Sequence, residues 1–272
     1  MATNHMRLIN EGVDLSRSLP ADPTETKFIE SFTNEEDPSI RHYIQFENFI
    51  KLLKSSILHL SRLDKYTDGP EGLPSRANQD SAGAIMDQIN VDLGVLHNPY
   101  SRLTTQNAMR QHRYIHCWFE GACETNAMWG KYGESGKGVC IYSSKLRLWR
   151  ALTTPQELSI FLHSCVYSDE GHPVPEFISF APAFRKISRY QDEHEIRLLA
   201  ERRREHIISL TPGSETADHV QLVVDLPILI QKIIVGSRMS SKNFDTVIAE
   251  ASKIMSPQLI ERSIVSFDST NT

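Results

Sequence analysis

Hydrophobic positions along this chain switch repeatedly between a period of two and a period near 3.6, without a regular alternation of strand and helix. Ile40 to Gln45 reads as a strand. Phe46, Phe49, Ile50 and Leu53 then fall at helical spacing, and "ILHLSRL" returns to strand. "YIHCWFEG" reads as a buried strand, "CETNAMWGKYG" as a short helix stopped by Gly133, and "GKGVCIYSS" as another strand. In "TPQELSIFLHSC", Thr154 is followed three residues later by Glu157, a capping box that predicts a helix. "CVYSD" reads as a short strand and "PEFISFAPAFRKISRYQDE" as a helix. "HVQLVVDL" and "KIIVGSR" are strands around "PILIQ", "SKNFDTVIAEASKIM" is a helix, and "ERSIVSF" a closing strand. Short strands mixed with helices, with no βαβ rhythm, predict an α+β fold.

Residues 1–38 are rich in Pro, acids and Ser/Thr, the composition of an N-terminal extension, in which "KFIESF" is expected to dock as one helical turn. Residues 39–272 form the expected domain, with a helical insertion at about 75–112. A hydrophobic fraction of 40% and a charged fraction of 23% suit a globular core. The net charge of -5 argues against general affinity for nucleic acid or anionic membrane. No apolar run approaches the roughly 20 residues of a membrane span, and the N-terminus lacks the apolar core of a secretory signal. A cytoplasmic protein is expected. Cys117, Cys123, Cys140 and Cys165 do not match zinc-knuckle spacings, so buried free thiols are expected and no metal site.

The chemistry concentrates in "RYQDEHEIRLLAE" (189–201). Read as a strand, it places Glu193, Glu195 and Arg197 on one face and His194, Ile196 and Leu198 on the other. The plainer reading is a solvated strand face with a surface Glu195–Arg197 pair of little energetic value.

Three blocks, "RHYIQFENFIKLLKSSILHLSRLDKYTDGPEG", "CWFEGACETNAMWGKYGESGKGVCIYS" and "FRKISRYQDEHEIRLLAE", the last trailed by "LIQKIIVGSRMS", occur in this order. Together they resemble a mostly bacterial family, domain of unknown function two-nine-seven-one, over about residues 39–265. Two departures stand out. The family's E-S-x-A-M-W reads Glu124-Thr125-Asn126-Ala127-Met128-Trp129, and its D-P-F-E-G reads Asp68-Gly69-Pro70-Glu71-Gly72.

The third block also resembles the E-x-E strand of ADP-ribosyltransferases. That resemblance implies an α+β fold with a mixed, partly split central β-sheet and helical excursions. It implies NAD as co-substrate, an unknown macromolecular acceptor (protein or nucleic acid), and a toxin-like or antiviral-defence role. Glu195 would be the catalytic acid, stabilising an oxocarbenium-like centre as nicotinamide leaves, and Glu193 would orient or deprotonate the acceptor. Arg41 or His42 would contact NAD, Ser61 would supply a strand-end hydroxyl, and Tyr43, Trp129 and Tyr132 would stack on its rings.

Each of these residues also has a structural reading. Trp129 and Tyr132 lie three apart on one helix, as core residues do. Arg41 and His42 are neighbours on a strand, so at most one is expected in a given cleft. Glu124 is a candidate helix cap. The Arg202–Arg204 run is a solvated face or a phosphate contact. Two other function classes compete: a non-catalytic ligand- or protein-binding module, and a metal-dependent nuclease built on Asp68, Glu71, Glu193 and Glu195.

Overall fold

A ten-stranded mixed sheet forms the centre of the fold. The structure, a computed structural model, describes residues 27–29, 37–66, 72–73, 110–121, 123–169, 181–203 and 217–267. In chain order the elements begin with β1 (Lys27–Ile29), β2 (Ser39–Ile44), α1 (Phe46–Ser55), β3 (Ile57–Arg62), β4 (Arg113–Glu120) and α2 (Asn126–Tyr132). They continue with β5 (Val139–Ser144), α3 (Lys145–Ala151), β6 (Leu158–Ser164), β7 (Val166–Tyr167), β8 (Arg185–Lys186) and β9 (Glu195–Arg202). The last are β10 (His219–Val223), α4 (Leu226–Leu229), β11 (Lys232–Val235), α5 (Ser241–Ala251) and β12 (Ile260–Arg262).

The main path of the sheet runs β1-β6-β9-β4-β2-β5-β11-β12, and β3, carrying β10, branches from β4. The pairs β1–β6 and β11–β12 are parallel and the other ladders antiparallel. The fold is α+β, and its sheet is split at β4. One edge of β4 pairs with β9 throughout. The other edge is shared: Tyr114 and Ile115 pair with β3, and Phe119 and Glu120 pair with β2. His116, Cys117 and Trp118 lie between these ladders and face a fork.

Helices α1, α3, α4 and α5 cover one face through Phe49, Leu148, Leu226 and Val247, which join the main core with Ile40, Trp118 and Ile196. The opposite face carries two smaller clusters. One gathers Ile115, Phe161, Phe184 and Leu199; the other gathers Tyr43, Phe119, Trp129 and Cys140. The Thr125 hydroxyl caps α2 by accepting from the Met128 N–H at 3.2 Å, and the Gly133 N–H closes that helix on the Trp129 carbonyl. The hydroxyl matters at position 125, which explains why Thr serves where the resembled pattern has Ser.

Several sequence expectations need correction. The stretch 154–165 holds strand β6, not a helix. Its run "LSIFLHS" is buried almost throughout between β1 and β9, and a strand buried on both faces loses the alternation that identifies it. The predicted helix ending at Glu193 is, over its described part, a 3-10 turn (Ala181–Phe184), β8, and a second 3-10 helix (Ser188–Glu193). Inward-facing charges there override the helical pattern. Lys27–Ile29 of the N-terminal extension is an edge strand on β6, not a helical turn. Helix α3, capped by Ser144, was not anticipated. The four cysteines are free, as expected, but Cys123 is exposed and Cys117 only half-buried. The expected insertion at 75–112 lies almost entirely outside the described residues, as do Asp68, Glu71 and Arg204. Among the described residues, no helix is long and apolar enough to cross a membrane.

Candidate functional site

The fork in the sheet opens into a cleft of about 630 Å³. Its polar side is built on β9 and the segment before it. Glu195 opens β9 and is 5% exposed; Arg197, two residues on, is 1% exposed. The pair is therefore buried in an interior strand, not displayed on a wet edge. Glu195 Oε1 accepts from Arg197 Nε at 2.5 Å and Glu195 Oε2 from Lys186 Nζ at 2.5 Å. Arg197 in turn donates to the Ala183 carbonyl at 2.6 Å. Burial works to raise the Glu195 carboxyl, but Arg197 and Lys186 outweigh it and hold it down at about 2.

Glu193 is not on the strand. It ends the second 3-10 helix, and His194, in the left-handed region at φ 40°, turns the chain into β9. Glu193 still reaches the same cluster, because Lys186 Nζ donates to its Oε2 at 2.5 Å. Lys131 and the Tyr132 hydroxyl of α2 donate to its other oxygen, the latter at 3.3 Å. Tyr190 lies beneath this knot, with the Lys131 and Lys186 ammonium groups each 5.0 Å from its ring centre.

The far side of the fork comes from β2 and β4. Paired residues share a face, so the Arg41–Phe119 and Phe119–Glu195 registers put Arg41 and Glu195 on the same face. His42 belongs to the opposite face, yet both Arg41 and His42 line the cleft. The expectation of one or the other fails because the cleft is a gap in the plane of the sheet, and a gap is flanked by side chains of both faces. His42 Nδ1 donates to the Cys117 carbonyl at 3.0 Å, a side chain standing in for a missing ladder bond. That assignment leaves Nε2 of the neutral ring as an acceptor. His116 packs against His42 with ring centres 4.2 Å apart, and Trp118 lies 5.3 Å from His42. Burial holds His42 at about 4 and His116 well below the usual histidine range, so both are neutral at pH 7. His116 Nδ1 and Trp118 Nε1 are buried without a hydrogen-bond partner among the described residues.

Of the residues expected from sequence, Glu193, Glu195, Arg41, His42, Tyr43, Ser61 and Tyr132 all line this one cleft. Trp129 does not. It is fully buried, meets Tyr43 edge-on at 5.0 Å, and donates its indole N–H to Glu124 at 2.8 Å. Glu124 also accepts from Ser263, so it ties α2 to the C-terminal segment while Thr125 caps the helix. Arg202 stands seven residues along β9 from Glu195, roughly 23 Å at strand rise, with its Nε 3.4 Å from the Tyr114 hydroxyl. Arg202 is therefore remote from Glu195.

Sequence reasoning missed Lys186, Lys131, His116, Tyr66 and Tyr167. Lys186 was hidden in a stretch that reads as helix, and nothing in the sequence brings it to the two glutamates. Burial pushes the Cys117 and Tyr66 protons on more tightly, which makes neither a ready nucleophile. Among the described residues, no group of three or more His, Cys, Asp or Glu is placed to hold a metal ion.

No family model, curated protein or solved structure matches the chain.

Proposed function

We propose that the fork is an NAD site and that the chain cleaves or transfers at the nicotinamide–ribosyl bond. The observation that carries this reading is convergence: residues from four separated stretches, chosen for that chemistry, line one cleft of about 630 Å³. The size falls within the roughly 300–1,000 Å³ of small-molecule sites. The lining includes the cations Arg41, Lys51, Lys186 and Arg197 against the carboxylates Glu193 and Glu195, in a chain of net charge -5. A local cationic surplus suits a pyrophosphate. The buried nitrogens of His116 and Trp118 suit the polar edge of a planar ring.

In this reading the bond between nicotinamide nitrogen and ribose C1′ breaks, and its electron pair leaves with nicotinamide. Water or an acceptor hydroxyl or amine then bonds to C1′ and gives up its proton. A carboxylate has about four acceptor positions; Arg197, Lys186 and the Cys117 thiol use three on Glu195. One remains for a ribose hydroxyl, and ionised Glu195 stabilises the positive charge developing at C1′. Glu193, fixed by Lys131, Lys186 and Tyr132, would orient the acceptor.

One observation favours a second reading, a ligand-binding module. Both Glu195 oxygens already serve structural partners, so the carboxylate has a role without any reaction. The nuclease reading draws no support from the donor set. Ammonium and guanidinium groups occupy Glu193 and Glu195, the two of its four carboxylates among the described residues.

Nicotinamide release from NAD by wild type and Glu195→Gln, with and without a cell lysate as acceptor source, separates the two main readings. Because Gln removes the carboxylate charge that Arg197 and Lys186 share, the variant is assayed where circular dichroism shows it folded. Release by wild type and none by Glu195→Gln is the expected result. No release under any condition, together with a thermal shift on adding NAD, would identify a binding module.

A further inference from the structure

We propose that Lys186 is a positioning residue for the reaction, holding both carboxylates of the cleft in place and in charge register while acting only through them. The inference rests on the NAD reading for its catalytic meaning, but its physical content stands separately.

Lys186 Nζ lies 2.5 Å from Glu193 Oε2 and 2.5 Å from Glu195 Oε2. Among the described residues it joins the two carboxylates, while Lys131 and Tyr132 donate to Glu193 and Arg197 to Glu195. The lysine is 7% exposed. An ammonium within hydrogen-bond reach of two carboxylates acts on them as a fixed positive charge.

The backbone explains how the ammonium reaches this position. Strand β8 pairs with β7, which places Lys186 opposite Tyr167. The Ser168 N–H donates to the Lys186 carbonyl at 2.9 Å, and the Arg185 guanidinium donates to the Ser168 carbonyl at 3.3 Å. The same short strand pair serves the backbone of Glu195, whose N–H donates to the Tyr167 hydroxyl at 2.7 Å. The Glu195 carbonyl accepts from the Cys165 N–H at 2.8 Å. Glu195 is thus held at all four polar positions: amide, carbonyl and both carboxylate oxygens. Two of the four holds come from β7 and β8, outside the main sheet. Arg197 alone would leave one Glu195 oxygen free to rotate away and would leave Glu193 unconnected. A site so fully held meets the condition for pre-organisation, in which the group is oriented before the substrate arrives.

The test uses the full-length protein labelled with carbon-13 at the glutamate carboxyls. The Glu195 resonance is identified by its loss in Glu195→Gln. The carboxyls of wild type, Lys186→Gln and Lys186→Arg are titrated by NMR, and nicotinamide release is followed over the same pH range. Gln keeps a donor, one bond shorter, without the charge, and near-ultraviolet circular dichroism checks that it packs. Arg restores the charge.

In Lys186→Gln the Glu195 resonance should begin to titrate inside the ordinary carboxylate range. Release should then fall about tenfold per pH unit below that midpoint. Lys186→Arg should keep the wild-type titration and most of the rate. A Glu195 titration unmoved in Lys186→Gln would overturn the proposal. So would a titration that moves equally in Lys186→Arg. Absence of release in wild type would instead sink the NAD reaction, and the titration would still decide whether Lys186 holds the carboxylate.

Discussion

Two ion pairs lie on the same face of the sheet, one between β4 and β9 and one within β9, and they differ in their surroundings. Near the start of β4, Arg113 Nε meets Glu201 Oε1 at 2.8 Å, with side chains 3% and 14% exposed. At the other end, Arg197 Nε meets Glu195 Oε1 at 2.5 Å, with side chains 1% and 5% exposed. Arg113 and Glu201 face each other across a closed ladder. Glu195 and Arg197 lie beside the fork, within a cluster that also takes in Lys186, Glu193 and Lys131. A buried salt bridge is therefore not by itself the sign of a site. The difference lies in the opening beside it and in the extra charges drawn to that opening.

The largest effect expected from breaking this contrast is on stability. Arg197→Met strands Glu195 with one cation and should cost about 3–5 kcal/mol in urea denaturation. It should also abolish nicotinamide release from whatever fraction folds. Arg113→Met should cost less, because Glu201 can recruit water, and should leave release per folded molecule unchanged. Equal loss of activity in both variants would show that the cleft has no special standing.

Acid stability sharpens the same comparison. Glu195 is held near 2 in the folded chain against 4.5 ordinarily. A depressed carboxyl gives stability that is complete above about pH 4.5 and lost as pH falls towards 2. The loss should amount to about 3 kcal/mol at 1.36 kcal/mol per pKa unit. Denaturation curves at pH 4.5 and pH 2 should show that loss in wild type and its absence in Glu195→Gln.

A smaller effect belongs to the other wall of the fork. His42 is held near 4, below its ordinary 6.5, so the unfolded chain takes up the proton first as pH falls. Stability from neutral His42 is complete above pH 6.5 and declines from there towards pH 4. His42→Gln should flatten the stability profile across that window, and a profile identical to wild type would mean that the ring is not buried as described.

Much of this was legible in the sequence, for definable reasons. The strands and helices that expose one face kept their periodicity, as in α1 and α5. β6 lost it by being buried on both faces. Arg41 and Glu195 were identified from local pattern, but that they share a cleft depends on two strand registers that each join residues nearly eighty apart in sequence. Lys186 left no local trace, because its meaning lies wholly in what it touches. Trp129 misled because a helix shows its spacing in sequence but not which of its sides is buried.

The position of β9 between β6 and β4 has a consequence for synthesis. A ribosome delivers β4 and β6 long before it delivers Glu195, and the middle of the sheet is a gap until β9 is inserted. Pairings this distant in sequence close slowly, and domains form as units once their last partner is available. A chain stopped before residue 195 therefore carries the histidine wall of the fork and none of its β9 carboxylate chemistry. The polar side of the fork is therefore completed only when the last of the central strands is in place.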